Sequence, residues 1–184
     1  KYNVPVRVLS SFNKGKGTLI TLEEESMENA LVSGIAFQKD QIKFTVHGVG
    51  DTPGTAFKIL GPVSDAEVEV DVIVQNVSVD GKTDFTFTVA SEDKDTVKEV
   101  LDKLKDDVSY TELIIDSNIA KVSIVGVGMR SQAGIASKAF KALSENGVNI
   151  QIICTSEIKI TMVIEKELVD KAVTVLHKEF ELEK

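Results

Sequence analysis

The residues best suited to chemistry cluster around one loop and one strand. His47 to Gly54 reads HGVGDTPG and feeds an amphipathic stretch striped by Ala56, Ile59, Leu60 and Val63. Pro53 suits a first helical turn, where its missing N–H costs nothing. Asp51 suits the N-cap. The N–H groups that follow point out of a helix start and favour an anion such as a carboxylate. Asp71 lies inside the valine-rich run Val70 to Val74, where a carboxylate is costly unless paired. Gln75 and Asn76 close the same run and carry groups that hydrogen-bond a hydroxyl or an ammonium. Loop N–H groups, Asp71 and Gln75 together would suit a zwitterion, that is, an amino acid. Asp51 capping its own helix, and polar residues at a solvated strand end, account for the same pattern without a ligand.

Other chemistry finds little support. Gly48 and Gly50, like Gly126 and Gly128, lack the following G-K-[ST] of a phosphate loop and the spacing of a dinucleotide fold. His47 and His177 carry no cysteine or carboxylate pattern of a metal site. Cys154 is the only cysteine, so no internal disulfide forms, and its place mid-strand reads as a small core residue. No nucleophile–base pair stands out, and no cofactor is expected in this chain.

The elements that position these groups occur twice. Val46 to Val79 and the stretch from Val125 onward both run strand, Gly-bearing loop, helix, strand. From Gly54 and Gly134 the two copies align without a gap: Ala56 matches Ala136, Lys58 matches Lys138, Val68 matches Val148. Gln151 stands where Asp71 stands, and Thr155-Ser156 where Gln75-Asn76 stand. The second loop, MRSQAG over 129–134, is two residues longer and lacks the Asp and the Pro. Two sites, if both exist, should differ in ligand or affinity.

The first copy continues as a strand over 42–46, a helix beginning near Pro53, a strand through Val70, Val72 and Val74, and an Asp80-Gly81 hairpin turn. Then come a strand through Phe85, Phe87 and Val89, a helix striped by Val97, Leu101 and Leu104, and a strand over 113–115. That order is βαββαβ. The second copy has strands over 122–125, 150–154 and 160–164, and helices through Ala139 and Ala172, but no fourth strand. Val4, Val6 and Val8 alternate with polar neighbours, and Pro5 confines that strand to an edge. The expectation is an α+β chain of two ferredoxin-like modules. Residues 1–31 form an N-terminal edge strand and linker, 32–117 module 1, and 118–184 module 2, completed by the strand at 4–9.

Composition narrows the partners. The 184 residues carry a net charge of −8 and a pI near 4.9, which disfavours nucleic acid or an anionic membrane surface. No apolar run approaches a membrane span. No signal peptide opens the chain, and Lys1 in place of Met points to a processed chain or an excised piece. A single cysteine fits a reducing cytoplasm.

The repeat with these loops resembles the ACT domain, a small-molecule sensing module. The segments PVRVLSSF, GTLI, DTPGTAFKIL, VDVIVQNVS, TDFTFTV, AKVSIVGVGMRS, GVNIQIICTSEIKI and VLHKEF resemble the regulatory region of aspartate kinase over almost the whole chain. That resemblance implies feedback regulation of the aspartate pathway by threonine, lysine or both. It implies a homodimer, and a partner in the form of the kinase catalytic domain or α subunit, to which ATP and magnesium would belong. The family's N-terminal KFGGTS-type kinase motif is absent, so no kinase activity is expected of this chain alone. The family's effector contacts carry over to Asp51, Thr52, Pro53, Gly54, Thr55, Ala56, Asp71 and Gln75 in the first module. In the second they carry over to Ile135, Ala136, Asn149, Ile150 and Ser156. Two positions depart from the family's pattern: Gln132 replaces a common histidine, and Ala136 stands where some threonine-regulated members carry a hydroxyl. A stand-alone amino-acid sensor serving another biosynthetic enzyme is the alternative.

Overall fold

The structure, a computed structural model, describes residues 5–12, 15–20, 32–76, 80–126 and 134–182. Two strands are much longer than the sequence pattern indicates. β3 runs Gly34–Gly50 and β6 runs Glu112–Val125, and the two pair antiparallel along most of their length. They form the middle of a six-stranded antiparallel sheet of order β4-β5-β3-β6-β8-β7. β4 is Ile73–Gln75, β5 Lys82–Ala90, β7 Ile152–Thr155 and β8 Lys159–Glu165.

Each long strand serves both modules. The second half of β3 pairs with β5, and its first half lies against the end of β6. Gly34 to Gln38 oppose Val125 to Lys121. This is the place where the sequence reading put Val4–Val8. That expectation is corrected: β1, Val6–Val8, pairs instead with β2, Thr18–Ile20, in a separate two-stranded ribbon. Every described residue from 5 to 20 is exposed, Phe12 at 94%, so this ribbon closes no core.

Alternation explains the layers. Phe85, Phe87 and Val89 of β5, with Ile42, Phe44 and Val46 of β3, face the helices and are buried. Phe44 stacks on Phe87 at 5.6 Å between ring centres. The helices that cover this half are α1 (Thr55–Asp65), α2 (Lys94–Lys103) and the short α3 (Lys105–Val108). Ile59 and Val63 of α1, with Val97 and Leu101 of α2, are the apolar stripes that fit. The second half repeats the plan. Val122 and Ile124 of β6 and Ile160, Met162 and Ile164 of β8 pack under α4 (Ile135–Glu145) and α5 (Val169–Glu179). Val32, Ile35 and Ala120 join this second core, so residues ahead of the first repeat belong physically to the second half.

The opposite face of the sheet is also buried. Thr88, Lys121, Ser123, Thr161 and Val163 lie on it and are almost inaccessible. Lys121 on β6 bonds Asp71, which precedes β4, and Lys43 on β3 bonds Gln151, which precedes β7. Each contact spans three strand spacings, about 14 Å in a flat sheet and beyond the reach of a lysine. The sheet is therefore folded, so that the helix-free faces of its two halves meet. The register shifts in β3 around Gln38 to Lys43 mark the fold line, as bulges commonly do.

Candidate functional site

The loop after β3 is built by backbone demands. Gly48 has φ +71, and a Cβ there would sit 2.4 Å from the Thr111 hydroxyl oxygen, so only glycine fits. Gly50 pairs with Lys82 at the last rung of β3 and β5. The Asp51 N–H then donates to the Gly81 carbonyl at 2.9 Å, tying the loop to the β4–β5 turn. The Thr55 hydroxyl donates to the Gly50 carbonyl at 2.8 Å and lies 3.2 Å from the Thr52 hydroxyl.

This geometry corrects the expected helix start. α1 begins at Thr55, its N-cap is Gly54 at φ +95, and no side chain caps it. Asp51 does not cap the helix, and Pro53 lies in the turn before it. The Lys58 N–H returns to the Gly54 carbonyl at 2.9 Å, which leaves the first-turn N–H groups of Ala56 and Phe57 without an acceptor inside the helix. The start of α1 thus presents unshielded donors, with the positive end of the helix dipole behind them.

Gln75 belongs to the same end of the sheet. β4 and β3 are both antiparallel to β5 and so run the same way. The last residue of β4 therefore sits at the end where β3 delivers the loop. Gln75 lies opposite Phe85, which faces the helix layer, so its side chain projects on the side of α1. It is exposed, on an edge strand.

Asp71 is at the other end. Its N–H bonds the Thr88 carbonyl at 3.1 Å, about 13 Å along the strand from Gln75. Its carboxylate is bonded by the ammonium of Lys121, whose side chain is only 4% exposed. The counter-charge expected from a ligand is supplied from within the chain. The structure places Gln75 at the same end of the sheet as Asp51, Thr52, Pro53, Gly54, Thr55 and Ala56, two strand spacings (about 10 Å) from β3, and Asp71 at the opposite end of β4.

The second module divides in the same manner. α4 starts at Ile135 after Gly134 at φ +100, and Lys138 N–H returns to the Gly134 carbonyl at 2.9 Å, as in the first. Ile135 is buried and Ala136 packs on the second core. Ser156, whose N–H bonds the Lys159 carbonyl at 2.8 Å, follows β7 at this end. Asn149 and Ile150 precede β7 at the opposite end. They line a cleft of about 500 Å³ with Phe140, Ser144 and Ile153. The loop reading at Gln132 falls outside the described residues.

One pair was not picked out from the sequence. The His47 Nδ1 lies 2.6 Å from an Asp84 carboxylate oxygen, which also accepts the Gly48 N–H at 3.0 Å. Asp84, with His47, Asn76, Lys82 and Thr111, borders a polar cleft of about 450 Å³ behind the loop. The register of β3 on β5, Val46 opposite Phe85, is the signal that would have placed the two side by side. Cys154, expected in the core, is exposed on the edge strand β7. Among the described residues no three or more His, Cys, Asp or Glu side chains gather to hold a metal. No described helix is long and apolar enough to cross a membrane.

Comparison with known proteins fits this geometry. Residues 45–108 and 122–180 each match the ACT domain, and each match begins within one of the two long strands. A chain from a crystal structure of aspartokinase alpha and beta subunits is 47% identical, with a TM-score of 0.77, and the match covers 82% of this chain and 99% of that one. The chain belongs to the aspartate kinase family, as a tandem ACT regulatory region. The ligand-free regulatory subunit of aspartate kinase from Thermus thermophilus is 33% identical, with the same TM-score and coverage. Aspartate kinase from Pseudomonas fluorescens is 57% identical over all 184 residues. Ask_LysC from Stutzerimonas stutzeri is 59% identical over the same length. The chain spans 45% of the length of these curated relatives.

Proposed function

We propose that this region senses end-product amino acids of the aspartate pathway, threonine first and lysine as the second candidate, and inhibits the kinase to which it belongs. The observation that carries the reading is the uncapped start of α1 with Gln75 at the same end of the sheet. A ligand carboxylate would take the N–H groups of Ala56 and Phe57. Asp51, free of any capping duty, is the carboxylate on hand for the ligand ammonium, in place of Asp71. Gln75 would bond the side-chain hydroxyl or the ammonium. Of the second-module residues, Ile135, Ala136 and Ser156 lie at the end of the sheet that matches the first site, whereas Asn149 and Ile150 line a separate cleft at the other end of β7.

Inhibition would follow from a population shift: the effector binds one arrangement of the modules better than another, and the difference biases the kinase. Among the described residues β4 and β7 are the edges of the sheet, with Ile73 and Ile153 half-exposed on them, which supports assembly as a homodimer. The other partner is the aspartate kinase catalytic domain or α subunit, in the cytoplasm, and ATP and magnesium belong there.

Calorimetric titration of the 184-residue chain with threonine, lysine and other amino acids tests the reading. Saturable binding of threonine or lysine is expected. Gln75→Ala should weaken threonine binding by roughly 1–2 kcal/mol, a lost hydrogen bond plus a ligand group left unpaired. No binding by any of them, or equal affinity in the variant, would sink the assignment.

A further inference from the structure

The two lysines that cross between the modules occupy matching places in the repeat. Lys43 opens KFTVHGVG and Lys121 opens KVSIVGVG. Their partners match too: Asp71 opens DVIVQ, Gln151 opens QIICT. Each lysine reaches the residue that precedes the other module's edge strand. The folded sheet is thus closed by two contacts related by the repeat.

Their charges are not related in the same way. Lys43 has Asp116 at 3.1 Å, directly opposite it on β6, and keeps that counter-charge whatever the angle between the halves. At the matching place opposite Lys121 stands Gln38, which is neutral. Asp71 is the one acid bonded to Lys121 among the described residues. The lysine is nearly sealed from water, whereas Asp71 is 49% exposed. Opening the fold of the sheet would cost Lys43 only a neutral hydrogen bond. Losing Asp71 while the two faces stay together would leave Lys121 as a buried, unpaired ammonium, which is strongly unfavourable.

We infer that Lys121 and Asp71 form a charge interlock that holds the two modules face to face and couples the β4 edge to the second module. Asp71 precedes the strand whose far end carries Gln75. A ligand or partner that displaces β4 must carry Lys121 with it or strand its charge. The interlock stands on the geometry alone, while its use in signalling rests on the effector reading.

A double-mutant cycle on the 184-residue chain tests it, using Asp71→Asn, Lys121→Met and the pair, each followed by urea unfolding. Asp71→Asn should lower the folding equilibrium constant about tenfold, a loss moderated by the half-exposed carboxylate. In the Lys121→Met background the same change should cost little. Should Asp71→Asn fail to fold, adding Lys121→Met should restore folding. Additive effects, a silent Asp71→Asn, or no rescue would overturn the interlock. Amide exchange gives a local reading. The Val72 N–H, bonded to the Thr88 hydroxyl at 3.2 Å, should exchange about tenfold faster in Asp71→Asn, in step with the lost stability. Threonine titration of the same variants tests the coupling. A threefold or larger change in affinity with Gln75 intact supports it, and unchanged affinity overturns it. If even the unsubstituted chain binds no threonine, the signalling role falls with the effector reading, and the cycle still decides the interlock.

Discussion

Two truncations that differ by twenty residues should behave very differently. Removing residues 1–20 deletes the β1–β2 ribbon, all of whose described residues are exposed. Little should change, within about 0.5 kcal/mol, as for other surface changes. Removing residues 1–40 also deletes Gly34 to Gln38, five positions paired with Val125 to Lys121. At about 1 kcal/mol net per ladder hydrogen bond, that is roughly 5 kcal/mol. Val32, 7% exposed in the second core, and the partly buried Ile35 add about 3 kcal/mol between them. The sum, about 8 kcal/mol, is comparable to the whole stability of an ordinary domain. The longer truncation should therefore unfold the second core, while the shorter leaves the urea midpoint unchanged. Amide exchange across Val122 to Val125 reports the same event residue by residue. Selective loss of protection there on removing residues 1–20, or full protection after removing 1–40, would refute the assignment of Gly34–Gln38 as the missing strand.

Gly48→Ala should cost about 2–4 kcal/mol. The αL conformation costs roughly 1–2 for a residue with a Cβ, and the clash with Thr111 adds the rest. Thr111→Ala in the same chain should recover part of it, measured by thermal melting. Tyr110, buried with its hydroxyl donating to the Leu101 carbonyl at 3.2 Å, should lose about 1 kcal/mol on Tyr110→Phe. Burial, then the charge of Asp102, pushes the Tyr110 pKa above its ordinary 10.0. The neutral phenol is thereby favoured in the fold, and the folded state holds its proton longer than the unfolded one. The stability contributed is complete below pH 10.0 and lost as pH rises beyond it. Tyr110→Phe should flatten that part of an alkaline urea-midpoint profile, and an unchanged slope would count against the assignment.

Much of the fold was legible because the apolar pattern is strict. Phe85, Phe87 and Val89 alternate with threonines, and Asn146-Gly147 stops α4 with Gly147 at φ +68. What was not legible came from polar residues inside long strands. Gln38 to Gln41 and Asp116 to Asn118 fall outside the strands read over 42–46, 113–115 and 122–125, yet they lie where β3 and β6 cross between modules. Their side chains are used sideways: Lys39 pairs with Asp170 at 2.8 Å and Lys43 with Asp116. Pairing between distant segments overrode local pattern there, and so hid the true fourth strand. In the candidate site, the loop and Gln75 stood out in the sequence because helix starts and strand ends carry local signals. Asp71 was noticed for a sound reason, a carboxylate among valines, but its partner lies 50 positions away on a face that no periodicity announces. The same blindness hid the His47–Asp84 contact.

The effector site is tested most directly by following every backbone amide of the 184-residue chain by NMR as threonine, then lysine, is added. Saturable shifts are expected at Asp51 to Phe57 and at Gln75, largest for the Ala56 and Phe57 amides that would meet the ligand carboxylate. Shifts that leave this loop and Gln75 untouched, or none with either amino acid, would contradict the effector assignment.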